Sequence, residues 1–283
     1  MKTINYKKTI ENIRKELKNY LIENKLKSMV VGISGGIDSA LVCALAYPVA
    51  KELNIELIGR SITIETNKPD EIERARNIGN NFCTNFKEIN LTTEYLNLKD
   101  LTSDSDTIIN IKETDREIKI RLGNIKARVR MIYLYDIAQK NKGFGLSTDN
   151  FTELLLGFWT LHGDVFDYGM IQELWKTEVY NMTEWLSINE NLNINGSSAL
   201  KSMLNAVATD GLGITSSDLD QILPDWKDRY NTTREGYSEV DMILENYLVN
   251  GSYNNHIVVK RYLSTEFKRN NPINLKRENI IDY

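Results

Sequence analysis

The sequence predicts an α/β fold, a doubly wound and mostly parallel sheet with helices on both faces. Two observations carry this expectation. Short β-branched apolar runs alternate with longer segments of helical pattern, as in successive strand–helix–strand units. The first such run, Met29-Val30-Val31, passes directly into the glycine turn Ser34-Gly35-Gly36 and then into an Ala- and Leu-rich stretch. A glycine turn at a strand–helix junction lets backbone approach a ligand closely, with amide hydrogens and the positive helix end aimed at it. That is an anion site, and phosphate is its usual occupant.

The remaining elements follow in chain order. Ile10, Ile13, Leu17 and Leu21 fall at helical spacing and predict a docked amphipathic helix. The stretch from Ser39 onward predicts a helix that Pro48 should kink or end. Ile55 to Ile62 reads as a second strand, and "KPDEIERARNIGNNF" as a helix opened by Pro-Asp-Glu. Phe86 to Leu91 is the third strand. Residues 97–115 are polar and weakly periodic, an excursion or surface segment. "EIKIRLGNIKARVRMIYLYDIAQKN" predicts a long helix ending at Gly143, and "FGLSTDN" a fourth strand running into a loop. The sequence lacks internal repeats and low-complexity linkers, so residues 1–283 read as one domain with a helical tail. The ligand site should lie at the carboxyl ends of the strands, where Ser34 to Ser39 and Ser147 to Asn150 fall.

Composition narrows the function classes. The chain has 283 residues, 41% hydrophobic and 26% charged, an ordinary globular balance. A formal charge of -4 and a pI near 5.5 argue against broad electrostatic binding to nucleic acid. Cys43 and Cys83 form neither a metal pattern nor a disulfide framework and read as small packing residues in a reducing compartment. The longest apolar run, Ala40 to Ala50, is too short to cross a bilayer, and the N-terminus lacks the apolar core of a signal peptide. The expectation is a cytoplasmic protein with no membrane or nucleic-acid partner. His162 and His256 are the two histidines, which leaves little scope for a Ser-His-Asp apparatus.

The glycine turn is specific about its phosphate. No lysine follows Gly36, which excludes the Walker loop, and Gly32, Gly35 and Gly36 have the wrong spacing for the dinucleotide fingerprint. Ser34-Gly35-Gly36-Ile37-Asp38-Ser39 instead resembles the SGGxDS loop of ATP pyrophosphatases, which split ATP into AMP and pyrophosphate. The resemblance implies an adenine nucleotide alpha hydrolase-like fold. Residues Gly32, Ile33, Ser34, Gly35, Gly36, Ile37, Asp38 and Ser39 would then bind ATP. Backbone amides and the two serines would hold pyrophosphate, and Asp38 would help hold Mg²⁺, a hard cation suited to carboxylate and phosphate oxygen. The bland alternative is an ordinary glycine turn capped by Asp38 or Ser39.

Further segments resemble the NAD synthetase family, the branch of ATP pyrophosphatases that amidates deamido-NAD. "GNIKARVRM" resembles its GNxKARxRM. "STDNFTELLLGFWTLHGD" resembles G-T-D-x-x-E-x-x-x-G-[FY]-x-T-x-x-G-D, and "LWKTEVY" resembles L-x-K-x-x-V. "ATDGLGITSSDLDQI", "EGYSEVDMILENYL" and "TEFKRNNPI" follow in the family's order, so the matches run from Gly32 to Ile273. Carried over by position, Asp38 and Glu153 would be Mg²⁺ ligands. Thr148 and Thr209 would bind ATP, Lys176 would grip its phosphates, and Arg60, at the end of the second strand, would pack on the adenine side. Asn124, Arg128, Asp167 and Lys268 would contact deamido-NAD, Asn124 and Arg128 sharing a helix face through their spacing of four. Asp38 and Lys176 would be the catalytic pair. The resemblance also implies a homodimer, with the dinucleotide lying across the subunit interface, and free or separately delivered ammonia as the nitrogen donor.

Four departures fall on the side that holds the nicotinate-bearing substrate in the family. "GDVFD" is one residue shorter than G-D-G-G-x-D between Asp164 and Asp167. Leu161 stands where the family has lysine, Phe267 where it has histidine, and Leu223 to Arg234 looks inserted. Two other readings therefore stay open on sequence alone: another ATP pyrophosphatase, tRNA-modifying or GMP-forming, and a catalytically silent nucleotide-binding protein.

Overall fold

The computed structural model describes residues 4–65, 67–103, 113–209 and 215–281. Among these described residues four parallel strands, β1 (Ser28–Gly32), β2 (Glu56–Thr63), β3 (Asn85–Asn90) and β4 (Gly143–Gly145), lie in the order β3-β2-β1-β4. The order reverses beside β1, whose neighbours are β2 on one side and β4 on the other. This is the switch point at which open α/β sheets leave a crevice beyond their carboxyl ends. Helices α1 (Tyr6–Glu23), α2 (Ile37–Leu53), α3 (Pro69–Phe82), α4 (Thr92–Thr102) and α5 (Asp115–Lys140) accompany the strands. Beyond β4 the described elements are helices: α6 (Phe151–Leu156), α7 (Lys176–Asn189), α8 (Ile194–Leu204), α9 (Leu219–Ile222), α10 (Trp226–Arg229), α11 (Thr233–Asn250), α12 (Ile257–Ser264) and α13 (Glu266–Arg269).

Both faces of the sheet are covered. One core joins Met29 and Val31 of β1 to Leu17, Leu41, Leu45, Ile78, Val179 and Leu244, from α1, α2, α3, α7 and α11. The other joins Val30, Ile58 and Ile62 to Tyr95 of α4 and Val129, Leu134 and Ala138 of α5. Alternate residues of β1 thus point to opposite cores, and the strand reads apolar because neither face meets water. In α1, Ile10, Leu17 and Leu21 are buried and Ile13 is partly buried, as their spacing predicts.

The structure refines three expectations. Helix α2 continues to Leu53 with Pro48 inside it. Pro48 has no N–H for the Ala44 carbonyl, and Arg14 of α1 supplies the donor, Nη2 to Ala44 O at 3.1 Å and Nε to Leu45 O at 3.3 Å. The fourth strand ends at Gly145, and Leu146 makes an isolated bridge with Tyr168. The segment 97–115 is partly regular: α4 takes its start and α5 its end, while residues 104–112 lie outside the described residues.

Candidate active site

Residues beyond the carboxyl ends of β1, β2 and β4 enclose a cavity of about 460 Å³. The glycine turn forms its floor. Gly35 has φ of +82°, and a Cβ there would lie 2.2 Å from the Glu71 carbonyl oxygen, so only glycine fits between the loop and α3. Arg74 of α3 donates from Nε to the Gly35 carbonyl at 3.0 Å and ties the loop to α3. The Ser34 and Ser39 hydroxyls are 3.3 Å apart, and the Gly36 amide donates to Ser34 Oγ. Gly36 caps α2 without a side-chain hydrogen bond, and Gly36 to Ser39 line the cavity, so the first turn of α2 opens toward it; a helix N-terminus of this kind suits an anion.

Three elements distant in sequence bring charge to this floor. Lys176, the first residue of α7, is 1% exposed. Its Nζ donates to Asp38 Oδ2 at 2.6 Å and to Glu153 Oε1 at 2.9 Å, and lies 5.2 Å from the centre of the Tyr237 ring. Asp38 also accepts from Asn150 Nδ2 at 2.9 Å. Asn150 caps α6, and Glu153 closes the reciprocal capping box, so the same local motif starts the helix and aims two polar groups at Asp38 and Lys176.

Acids crowd the floor. Burial pushes the Asp149 carboxyl up to about 7, with Asp164 and Asp38 adding to the push. Burial likewise pushes Glu153 up to about 8; Lys176 opposes this, and the nearby Asp38 and Asp149 reinforce it. Burial alone would lower the Lys176 ammonium, but the carboxylates of Asp38 and Glu153 outweigh it and hold it well above its ordinary value. Asp164, pushed up to about 6 by burial, accepts from the Thr160 amide at 2.7 Å. The Lys176 ammonium thus faces more than one buried acid, and a hard cation with phosphate ligands would complete this donor set. Among the described residues no group of three or more Asp, Glu, His or Cys is placed to hold a metal by itself.

A sequence model described as NAD synthase matches residues 9–272. The chain belongs to the NAD synthase family. It is 33% identical over 227 residues to the NH(3)-dependent NAD(+) synthetase of Thermococcus sibiricus, covering 79% of this chain and 82% of that one. The protein of the same description from Thermoplasma acidophilum is 29% identical over 278 residues, 96% and 99% of the two chains. The fold is shared with the structure of NMN synthetase from Francisella tularensis (TM-score 0.69, 20% identity, 97% and 99% coverage). It is also shared with NH3-dependent NAD synthetase from Campylobacter jejuni (TM-score 0.68, 21% identity, 96% and 100% coverage).

Within this member of the NAD synthase family, the cavity wall brings together most residues singled out from sequence. Gly32 to Ser39, Arg60, Asn124, Thr148, Glu153, Lys176, Thr209 and Lys268 all line it. Thr209 donates to Glu71 Oε1 at 2.9 Å, and Asn124 accepts from the Thr160 hydroxyl at 2.8 Å. Lys268 donates to the Gly157 carbonyl at 2.7 Å and to that of Trp159; burial lowers its pKa.

Other placements differ from expectation. Arg60 sits before the end of β2, paired with Gly32, and its guanidinium turns to Gly59 O and Asn85 O, both at 2.8 Å. Arg128 does not line the cavity; it is exposed and donates from Nη2 to Leu161 O at 3.1 Å. The wall is formed by Ile120, Asn124, Ala127, Arg130 and Leu134, so the helical row passes one position from Arg128. Asp167 also lies off the cavity, where it accepts from the Gly145 amide at 2.9 Å and the Tyr135 hydroxyl at 3.2 Å. Leu223 to Arg234 is likewise outside the lining. It packs through buried Leu223 and Trp226, and Arg234 donates to Asn181 and Glu184 of α7. Sequence reasoning did not single out Asp149, Asp164, Arg130 or Arg261 as site residues, although Asp149 and Asp164 stand inside the family's T-D and G-D pairs.

Proposed function

We propose that this protein is a ligase that amidates deamido-NAD to NAD, using ATP and ammonia and releasing AMP and pyrophosphate. The observation that carries the reading is the buried Lys176 ammonium between Asp38 and Glu153, beside a glycine turn built for phosphate. A carboxylate resists attack by an amine because oxide would have to leave. In the first step a carboxylate oxygen of the acid attacks the α-phosphorus and pyrophosphate departs. In the second, ammonia attacks the acyl carbon, AMP leaves with the former carboxylate oxygen, and the nitrogen loses a proton.

The chain's own groups match these needs. The loop amides and the Ser34 and Ser39 hydroxyls hold the departing phosphates, and Lys176 balances the charge that develops there. Asp38 and Glu153 are the residues that would hold Mg²⁺, which when bound neutralises phosphate charge. Thr148, Thr209, Arg60, Asn124 and Lys268 line the cavity; the first three would serve the nucleotide, and Asn124 and Lys268 the acceptor. Arg128 and Asp167 take supporting roles, on the Leu161 carbonyl and on the end of β4. The protein acts as a cytoplasmic homodimer of single-domain subunits. Ile132, 61% exposed on the outer face of α5, supports a subunit contact there.

Incubation with ATP, Mg²⁺, ammonium and deamido-NAD, followed by mass analysis, is expected to yield NAD, AMP and pyrophosphate in equal amounts. Nicotinate mononucleotide serves as a parallel acceptor. Its preferred use would move the reading to the shorter acid, and ATP binding without turnover of any acid would overturn it.

A further inference from the structure

Asp241 of α11 is 0% exposed and does not line the cavity, yet it reaches two elements that do. Its Oδ1 accepts the Thr152 hydroxyl at 2.5 Å. Its Oδ2 accepts the Thr177 backbone amide at 2.8 Å and the Thr177 hydroxyl at 2.7 Å. Thr152 immediately precedes Glu153, and Thr177 immediately follows Lys176. The circuit closes through the Lys176 backbone amide, which donates to Thr152 Oγ1 at 2.9 Å.

We infer that Asp241 is a positioning residue that, through Thr152 and Thr177, fixes Glu153 and Lys176 relative to each other at the phosphate end of the cavity. The inference rests on the function proposed above and extends it to a residue that touches neither substrate. An orphan carboxylate is costly to bury, and one held by three donors is rigid as well as satisfied. Neighbouring helical residues project about 100° apart, so a side chain locked behind the helix sets the direction of the next one. Thr152 spends its hydroxyl hydrogen on Asp241 and a lone pair on the start of α7, tying α6, α7 and α11 at one point. Burial raises the Asp241 carboxyl to about 6, and the three donors hold it below where burial alone would place it. Errors well below the length of a hydrogen bond matter where an ammonium must meet charge that develops during the reaction.

The test replaces hydroxyls and little else. Thr152→Val and Thr177→Val keep side-chain shape and remove the hydroxyl, whereas Thr152→Ser and Thr177→Ser keep it. Asp241→Asn places amide hydrogens against groups that are themselves donors. The valine variants and Asp241→Asn are expected to bind ATP several-fold more weakly. They should lower kcat for pyrophosphate release more steeply, on the order of tenfold or more. The serine variants should stay close to the parent, with far-ultraviolet circular dichroism unchanged throughout. Valine variants that melt earlier but keep the parent kcat and ATP affinity would overturn the inference, as would valine and serine variants that lose activity alike. A parent chain that turns over no acid overturns the proposed function instead. The positioning role is then read from ATP binding alone, and equal affinity of the valine and serine variants would refute it.

Discussion

Asp38 accepts from Lys176 and from Asn150 at the end of the glycine turn, so one carboxylate joins the loop after β1 to α6 and α7. Asp38→Asn keeps the size of the group and removes its charge. The variant is expected to fold and to lose pyrophosphate release almost completely, because the cation that would neutralise phosphate charge then loses a carboxylate ligand. Full turnover by the amide, measured by pyrophosphate release, would exclude Asp38 from metal binding. Single residues also show the limit of local pattern. Arg128 and Arg130 both stand in the basic stretch of α5, but only Arg130 faces the cavity, with Asp164 and Glu71 nearby. Apolar residues are spread around α5, so its sequence alone leaves the inward face undecided. Burial of Gly123 and Ala127, on the same side of the helix as Arg130, settles that phase.

Elements are set by local rules until a distant group overrides them. Pro48 is a local helix breaker, yet α2 runs through it because Arg14 brings donors from α1 to the carbonyls of Ala44 and Leu45. The same guanidinium pairs with Glu190 at the end of α7, at 2.8 Å. Arg14→Ala would leave the Ala44 carbonyl and a half-buried carboxylate without this donor. A loss of about 1–3 kcal/mol in unfolding free energy is expected, measured by urea denaturation. Unchanged stability would mean that water replaces Arg14 at the proline. The reverse case is the turn at Gly35, where the local rule holds throughout. Positive φ and the close Glu71 carbonyl both demand glycine, so the turn is legible from six consecutive residues.

Across the molecule, the buried acids set how stability depends on pH. Burial pushes the carboxyls of Asp149, Glu153, Asp164 and Asp241 up to about 7, 8, 6 and 6, all above their ordinary values of 3.8 or 4.5. Folded protein therefore holds protons that unfolded chain has released. Stability falls as pH rises above the ordinary carboxylate values, and each group's share is lost once its own folded pKa is passed, the last at about 8. Each group contributes at most about 1.4 kcal/mol per pH unit within its window. Asp220, lowered to about 2, and the lowered Asp70 and Glu88 act in the opposite sense, but only below the ordinary carboxylate range. Ligand-free protein is thus expected to melt at lower temperature at pH 8 than at pH 6 in calorimetry, and a flat profile would contradict the buried-acid picture. Assembly is tested separately: Ile132→Asp is expected to convert a dimer to monomer in light scattering, and a parent chain that is itself monomeric and active would refute the subunit contact. Sequence alone settles the parallel sheet, the glycine turn after β1 and the family's run of motifs, because each rests on contacts within a few residues or on periodicity. Packing in three dimensions settles which arginine faces the cavity, that Asp167 ties down β4, and that Asp241 stands behind Lys176 and Glu153. Those outcomes depend on how helices far apart in the chain meet, and burial of their shared surfaces sets that packing.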